Sequence, residues 1–122
     1  MEAQKFSIKK RAKSVGFAVN GLHQFFSTQH NAILHAVATI LVITLAVIIQ
    51  LPLSKCLFIV MAIGLVWMAE LFNTAIEQLC DMVCPQQHPT IKFIKDVAAA
   101  AVLVAALTAL TIACIIFIPA LL

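Results

Sequence analysis

Apolar residues run almost unbroken through three stretches of this chain. The first, from about Ala32 to Ile49, carries no formal charge. The second starts near Leu53, behind Pro52, and is uncharged from Cys56 to Ala69 before acidic residues appear in it. The third, Val97 to Ile118, is 22 residues without a charge. Roughly 20 residues of helix cross a hydrocarbon core of about 30 Å, so each stretch is long enough to span. The pattern predicts three transmembrane helices over about 31–50, 53–82 and 92–118. Ahead of them the period changes: Ile8, Ala12, Val15, Val19, Leu22 and Phe26 step by four and three along one helical face. Lys5, Lys9, Lys10, Arg11 and Lys13 crowd the first half of that segment, and Gly16 and Gly21 interrupt it. This predicts an amphipathic surface helix over about 5–27, its basic residues meeting anionic headgroups. A soluble partner-binding helix is the alternative.

The expected fold is an all-α membrane protein, one domain over 1–122. Composition agrees: 63% hydrophobic, 11% charged, mean hydropathy +1.08. The first apolar run comes too late for a secretory signal peptide. Five of the eight basic residues precede span one, the first turn holds only Lys55, and Lys92 and Lys95 follow span two. The positive-inside rule then puts the N-terminus and the 83–95 loop in the cytoplasm and the C-terminus outside.

Charge matters most where it is scarce. Of five carboxylates, Glu70, Glu77 and Asp81 recur with Asn73 along the second apolar segment, and Asp96 sits beside Lys95 at the start of the third. At 100° per residue, positions 70, 73, 77 and 81 fall within roughly 80° of arc. Ionisable groups near hydrocarbon are costly, so the stripe is a candidate functional site; the plainer alternative is interhelical hydrogen bonding that glues a bundle together. Glu70 lies about 10 Å deeper than Glu77, at 1.5 Å per residue. Asp81 is placed to pair with Lys92 or Lys95. No G-x-x-x-x-G-K, G-x-G-x-x-G, H-E-x-x-H or G-x-S-x-G is present. Phosphate handling would therefore need side-chain cations and a carboxylate-held metal, and Glu77 with Lys95 and Asp96 supplies that kit for Mg²⁺ and a nucleotide tail. Cys80, Cys84 and His88 have helical i, i+4, i+8 spacing, but Pro85 would interrupt the helix and three ligands leave a zinc site incomplete. Small buried hydrophobes are the better account of the cysteines. His35, four residues after Asn31, reads as an interfacial histidine with a hydrogen bond, a proton relay being the alternative. Trp67 and Phe72 flank the stripe and are expected to pack or meet lipid.

Glu70-Leu-Phe-Asn73-Thr-Ala-Ile-Glu77-Gln-Leu-Cys-Asp81 resembles the E-x-x-N-S/T-A/S-I/V-E-x-x-x-D signature of the small prokaryotic diacylglycerol kinases, a family that includes undecaprenol kinases. The resemblance extends to the basic amphipathic start, Asn20-Gly21-Leu22, Asn31-Ala32 with His35, and Lys95-Asp96 ahead of an alanine-rich third span. It implies an ATP- and Mg²⁺-dependent kinase of a membrane lipid hydroxyl, in a bacterial inner (plasma) membrane. It further implies a homotrimeric bundle with active sites shared between neighbours.

By the same resemblance Glu70 is the general base. Glu77 and, at the position of a second glutamate, Gln29 hold the metal. Lys10, Gln29, Glu77, Gln86, His88, Lys95 and Asp96 are placed at the nucleotide, with Asn73 and Asp81 supporting the site. Gln29 departs from the family pattern: an amide oxygen can coordinate Mg²⁺ but brings no charge, so weaker metal affinity, or a ligand recruited elsewhere, is expected. Ile33 stands where relatives often have arginine. Diacylglycerol, giving phosphatidic acid, is the first expected substrate and undecaprenol the alternative; nucleic acid is not expected as a partner. A small ion-coupled transporter would want its charges near the bilayer midplane, whereas these gather toward one face. A catalytically silent structural homologue is favoured only by Gln29.

Overall fold

A computed structural model describes residues 5–122; the first four positions of the expected domain lie outside the described residues. The described elements are four helices, α1 (Ile8–Thr28), α2 (His30–Ile48), α3 (Leu53–Val83) and α4 (Pro89–Leu121). The contacts divide the chain between Leu34 and His35, inside α2, and the two units are taken in turn.

In the first unit, Ser7 caps α1, its side chain accepting from the Lys10 backbone N–H at 3.5 Å. The helix runs through Gly16 and Gly21 without a break, where the sequence suggested interruption. Glycine costs a helix about 1 kcal/mol relative to alanine but adopts helical dihedrals freely. Phe25 is buried and stands edge-on to Phe26, ring centroids 5.9 Å apart. Gln29 ends α1 with an extended backbone (φ −108°, ψ 117°) while its N–H still bonds to Phe25 O. One residue thus separates two helices.

In the second unit, α2 ends in a Schellman turn. Leu51 N–H bonds to Ala46 O at 3.0 Å and Gln50 N–H to Val47 O at 3.1 Å, with Gln50 left-handed at φ 53°. Leu51 folds back onto Ala46, and both join Ile59, Ile116 and Phe117 in the buried apolar core. This cluster ties the turn to the start of α3 and the end of α4. The 31 residues of α3 extend roughly 46 Å at 1.5 Å each, longer than a hydrocarbon core of about 30 Å. The fourth helix starts at Pro89, three residues ahead of the expected 92. His88 is its N-cap, its side chain accepting from Thr90 N–H, and Pro89 fills the first turn, where a missing N–H costs nothing. It also continues past 118 through Pro119 to Leu121.

The antiparallel helices α3 and α4 pack against each other. Large apolar side chains such as Leu57, Val60, Leu103 and Leu107 face outward, which suits helices solvated by acyl chains. Three helices, α2, α3 and α4, are long and apolar enough to cross a membrane. The protein is an all-α membrane protein.

Candidate functional site

The polar stripe of α3 finds a different partner on each successive turn. Glu70 is buried at 4% exposure, and its Oε1 lies 2.6 Å from Nε2 of His35 on α2. One turn on, Asn73 Nδ2 donates to Glu77 Oε1 at 3.4 Å. One turn further, Asp81 Oδ1 accepts from Lys95 Nζ of α4 at 2.5 Å. Only Glu70 is cut off from water and needs its donor; Glu77 is half-buried and Asp81 exposed. The expected pairing of Asp81 with Lys92 or Lys95 resolves to Lys95. Lys92 instead pairs with Asp96 within α4, at 2.5 Å. The charge of Glu77 also acts on Lys95, so these acids and this cation share one field.

Asn73 leaves one loose end. Its Oδ1 is buried with no hydrogen-bond partner, directly beside the half-buried Glu77. An orphaned amide oxygen costs about 1–3 kcal/mol. Together with the Glu77 carboxylate it forms a hard-oxygen donor set with spare capacity.

Beyond α3 the loop 84–88 and the first turns of α4 enclose a cavity of ≈ 630 Å³. Gln86, His88, Lys92, Lys95 and Asp96 all line it, which brings together four of the residues expected at a nucleotide. His88 Nδ1 is occupied by the cap to Thr90, so the neutral ring carries its proton on Nε2. Cys84 sits in extended backbone after the last turn of α3, and its Sγ faces Gln86. The helical spacing of Cys80, Cys84 and His88 therefore does not continue to His88. Among the described residues no group of three or more His, Cys, Asp and Glu side chains is gathered as a metal cage. Lys10, exposed, and Gln29, half-buried with its Nε2 3.5 Å from Thr28 Oγ1, belong to the first unit.

A second cavity, ≈ 270 Å³ and almost wholly apolar, lies among α2, α3 and α4. His35, Thr39 and Trp67 are its polar-bearing residues, and alanines such as Ala38, Ala62, Ala106 and Ala109 form much of its wall. Trp67 Nε1 donates to Thr39 Oγ1 at 3.0 Å, and Thr39 Oγ1 donates to the His35 carbonyl at 2.7 Å. The His35 and Trp67 rings meet edge-to-face at 6.2 Å. Sequence reasoning put Trp67 in packing or lipid contact and left His35 between two readings. A titratable residue inside an apolar span was the available signal; its partner, 35 positions away, was not readable.

The sequence profile described as "Prokaryotic diacylglycerol kinase" matches residues 16–117. The chain is 35% identical over 107 residues to an undecaprenol kinase of Bacillus subtilis, covering 88% of this chain and 87% of that protein. It is 34% identical over 110 residues to a diacylglycerol kinase of a Synechocystis species, covering 89% of this chain and 63% of that longer protein.

Proposed function

Since the chain belongs to the prokaryotic diacylglycerol kinase family, whose profile spans most of it, we propose that it transfers the γ-phosphoryl group of ATP to the hydroxyl of a membrane lipid alcohol. The observation that carries this reading is the order of groups along α3. A buried carboxylate lies deep, a hard-oxygen pair lies one turn nearer the loop, and a cation-bearing cavity lies beyond it. Phosphoryl transfer needs little covalent chemistry from a protein; it needs positioning and neutralisation of charge.

In this assignment Lys95 and Lys92 attract the phosphates into the loop cavity, with Gln86 and His88 as hydrogen-bonding walls. Lys95 must exchange Asp81 for phosphate, and Lys92 must exchange Asp96. Both ion pairs are solvent-exposed, so these exchanges cost little. Mg²⁺ commonly takes one or two protein oxygens together with substrate phosphates, and Glu77 with the unpartnered Asn73 Oδ1 fits that demand. When bound there it would neutralise charge on the transferring phosphate. Gln29 is the further metal candidate, and Lys10 a further cation for the nucleotide. The proton of the lipid hydroxyl is given up at the Glu70 end of the stripe, at the depth where an alcohol in the leaflet resides.

Diacylglycerol, yielding phosphatidic acid, is the first substrate reading. Undecaprenol is the second, favoured by the match along nearly the whole length of an undecaprenol kinase. The basic N-terminal segment and the loop 84–88 are assigned to the cytoplasmic side of a bacterial plasma membrane, with α1 at its surface. A homotrimer is the proposed assembly.

Purified protein in mixed micelles with radiolabelled ATP, Mg²⁺ and a panel of lipid alcohols tests all of this. Transfer of label to one class of alcohol is the expected result; no transfer to any of them refutes the kinase reading.

A further inference from the structure

Glu70 holds the buried carboxylate, yet it does not line the intramembrane cavity. The group that does is His35. Its side chain is 20% exposed against 6% for that of Glu70, and it stands at one end of the groove. From His35 to Val42 on α2 the groove runs roughly 10 Å into the apolar layer, at 1.5 Å per residue. A hydroxyl carried on hydrocarbon along this groove meets the imidazole before it meets the carboxylate.

We infer that His35 is the catalytic residue that receives the proton of the lipid hydroxyl, and that Glu70 is the positioning residue that anchors it from behind. This rests on the lipid-kinase reading and refines the part played by Glu70 within it. The 2.6 Å contact is the core of the inference. With Glu70 ionised, its Oε1 accepts from Nε2–H, which fixes the tautomer and leaves the lone pair on Nδ1. The Thr39 hydroxyl bond to the His35 carbonyl and the edge-on indole of Trp67 hold the histidine in place. An imidazole backed by a buried carboxylate is a recurrent design for a base, because the carboxylate stabilises the imidazolium as it forms.

The step balances. The lipid O–H bond breaks as Nδ1–H forms. The oxygen bonds to the γ-phosphorus, and the bond from that phosphorus to its bridging oxygen breaks with its electron pair leaving on ADP. The imidazolium, paired with Glu70, gives its proton to water before the next turnover. Among the described residues, the groups facing His35 are Glu70 and Trp67 from α3, Thr39 from α2, and apolar residues of α4.

The test compares wild type with His35→Gln and His35→Ala in the same mixed-micelle assay, with thermal unfolding measured in parallel. Glutamine keeps an N–H able to hold Glu70 but has no basic nitrogen. The expected result is a loss of about 10²–10⁴-fold in kcat for His35→Gln, the usual worth of a positioned proton acceptor, with KM for ATP little changed. Added imidazole is expected to restore part of the turnover of His35→Ala, which a merely structural role would not allow. A folded His35→Gln protein with kcat within about threefold of wild type overturns the assignment and returns the proton to Glu70. A wild-type protein that phosphorylates no lipid alcohol overturns the kinase reading, and this inference with it.

Discussion

Replacing Glu70 with glutamine removes one charge and almost no volume. The amide oxygen can still accept from His35 Nε2 at the position Oε1 now occupies, 2.6 Å away. Hydrogen bonds to charged groups contribute about 1.5–3 kcal/mol and neutral ones about 1, so the substitution costs roughly 1 kcal/mol of stability, part of it offset by easier burial of an amide. The catalytic loss is far larger. A proton acceptor and its orienting partner contribute about two to four decades of rate, which is about 3–5 kcal/mol of barrier. Because the two side chains are bonded to each other, they act as one unit. The double variant Glu70→Gln/His35→Gln should therefore fall no further than the worse single variant, rather than to the product of both losses. The assay is kcat for the four proteins of this cycle at saturating ATP and lipid, each checked for an intact unfolding transition. Glu70→Gln at wild-type turnover refutes the role of the stripe. Losses that multiply in the double variant refute the coupling of the pair.

Gln29→Glu adds a charge to a proposed metal ligand and should move the Mg²⁺ dependence of turnover to lower concentration; an unchanged titration removes Gln29 from the metal set. Gln50→Gly relieves a left-handed residue (φ 53°) that closes the α2 turn, and should stabilise the protein by about 1 kcal/mol in thermal unfolding. Gly16→Ala meets nothing within 4 Å and should stabilise the protein by up to about 1 kcal/mol through helix propensity alone, a gain that vanishes if α1 is not helical in the membrane.

How far the fold could be read followed from how local its causes are. Twenty apolar residues in a row permit little but a spanning helix, so α2 and α3 appear within two residues of their expected limits. The stripe from Glu70 to Asp81 was legible because one helix carries all of it. The early start of α4 had a signal too, since a proline in the first turn behind a capping side chain marks an N-terminus. The Schellman turn at Gln50 had no such signal, because glutamine is an uncommon residue for a left-handed position and the turn rests on Leu51 reaching Ala46 in the core. Partnerships between helices were the hardest to see. Opposite charges pointed Asp81 toward Lys92 or Lys95, and the fold selects Lys95. Nothing local pointed Glu70 toward His35, since the pairing depends on which face α2 turns toward α3.

The uneven fastening of α3 to α4 has a mechanical consequence. At the turn end, Ile59, Ile116 and Phe117 interlock in a dry cluster; at the loop end Lys95 and Asp81 join the two helices through an exposed salt link. Water is shut out of the first fastening and reaches the second, so the loop end is where a charged ligand can compete for a partner. A polyanion entering the loop cavity would compete with Asp81 for the Lys95 cation, its own charge replacing what that contact gives up. The histidine–carboxylate contact lies midway between the two along α3 and joins that helix to α2, so an exchange of partners at Lys95 breaks none of its bonds.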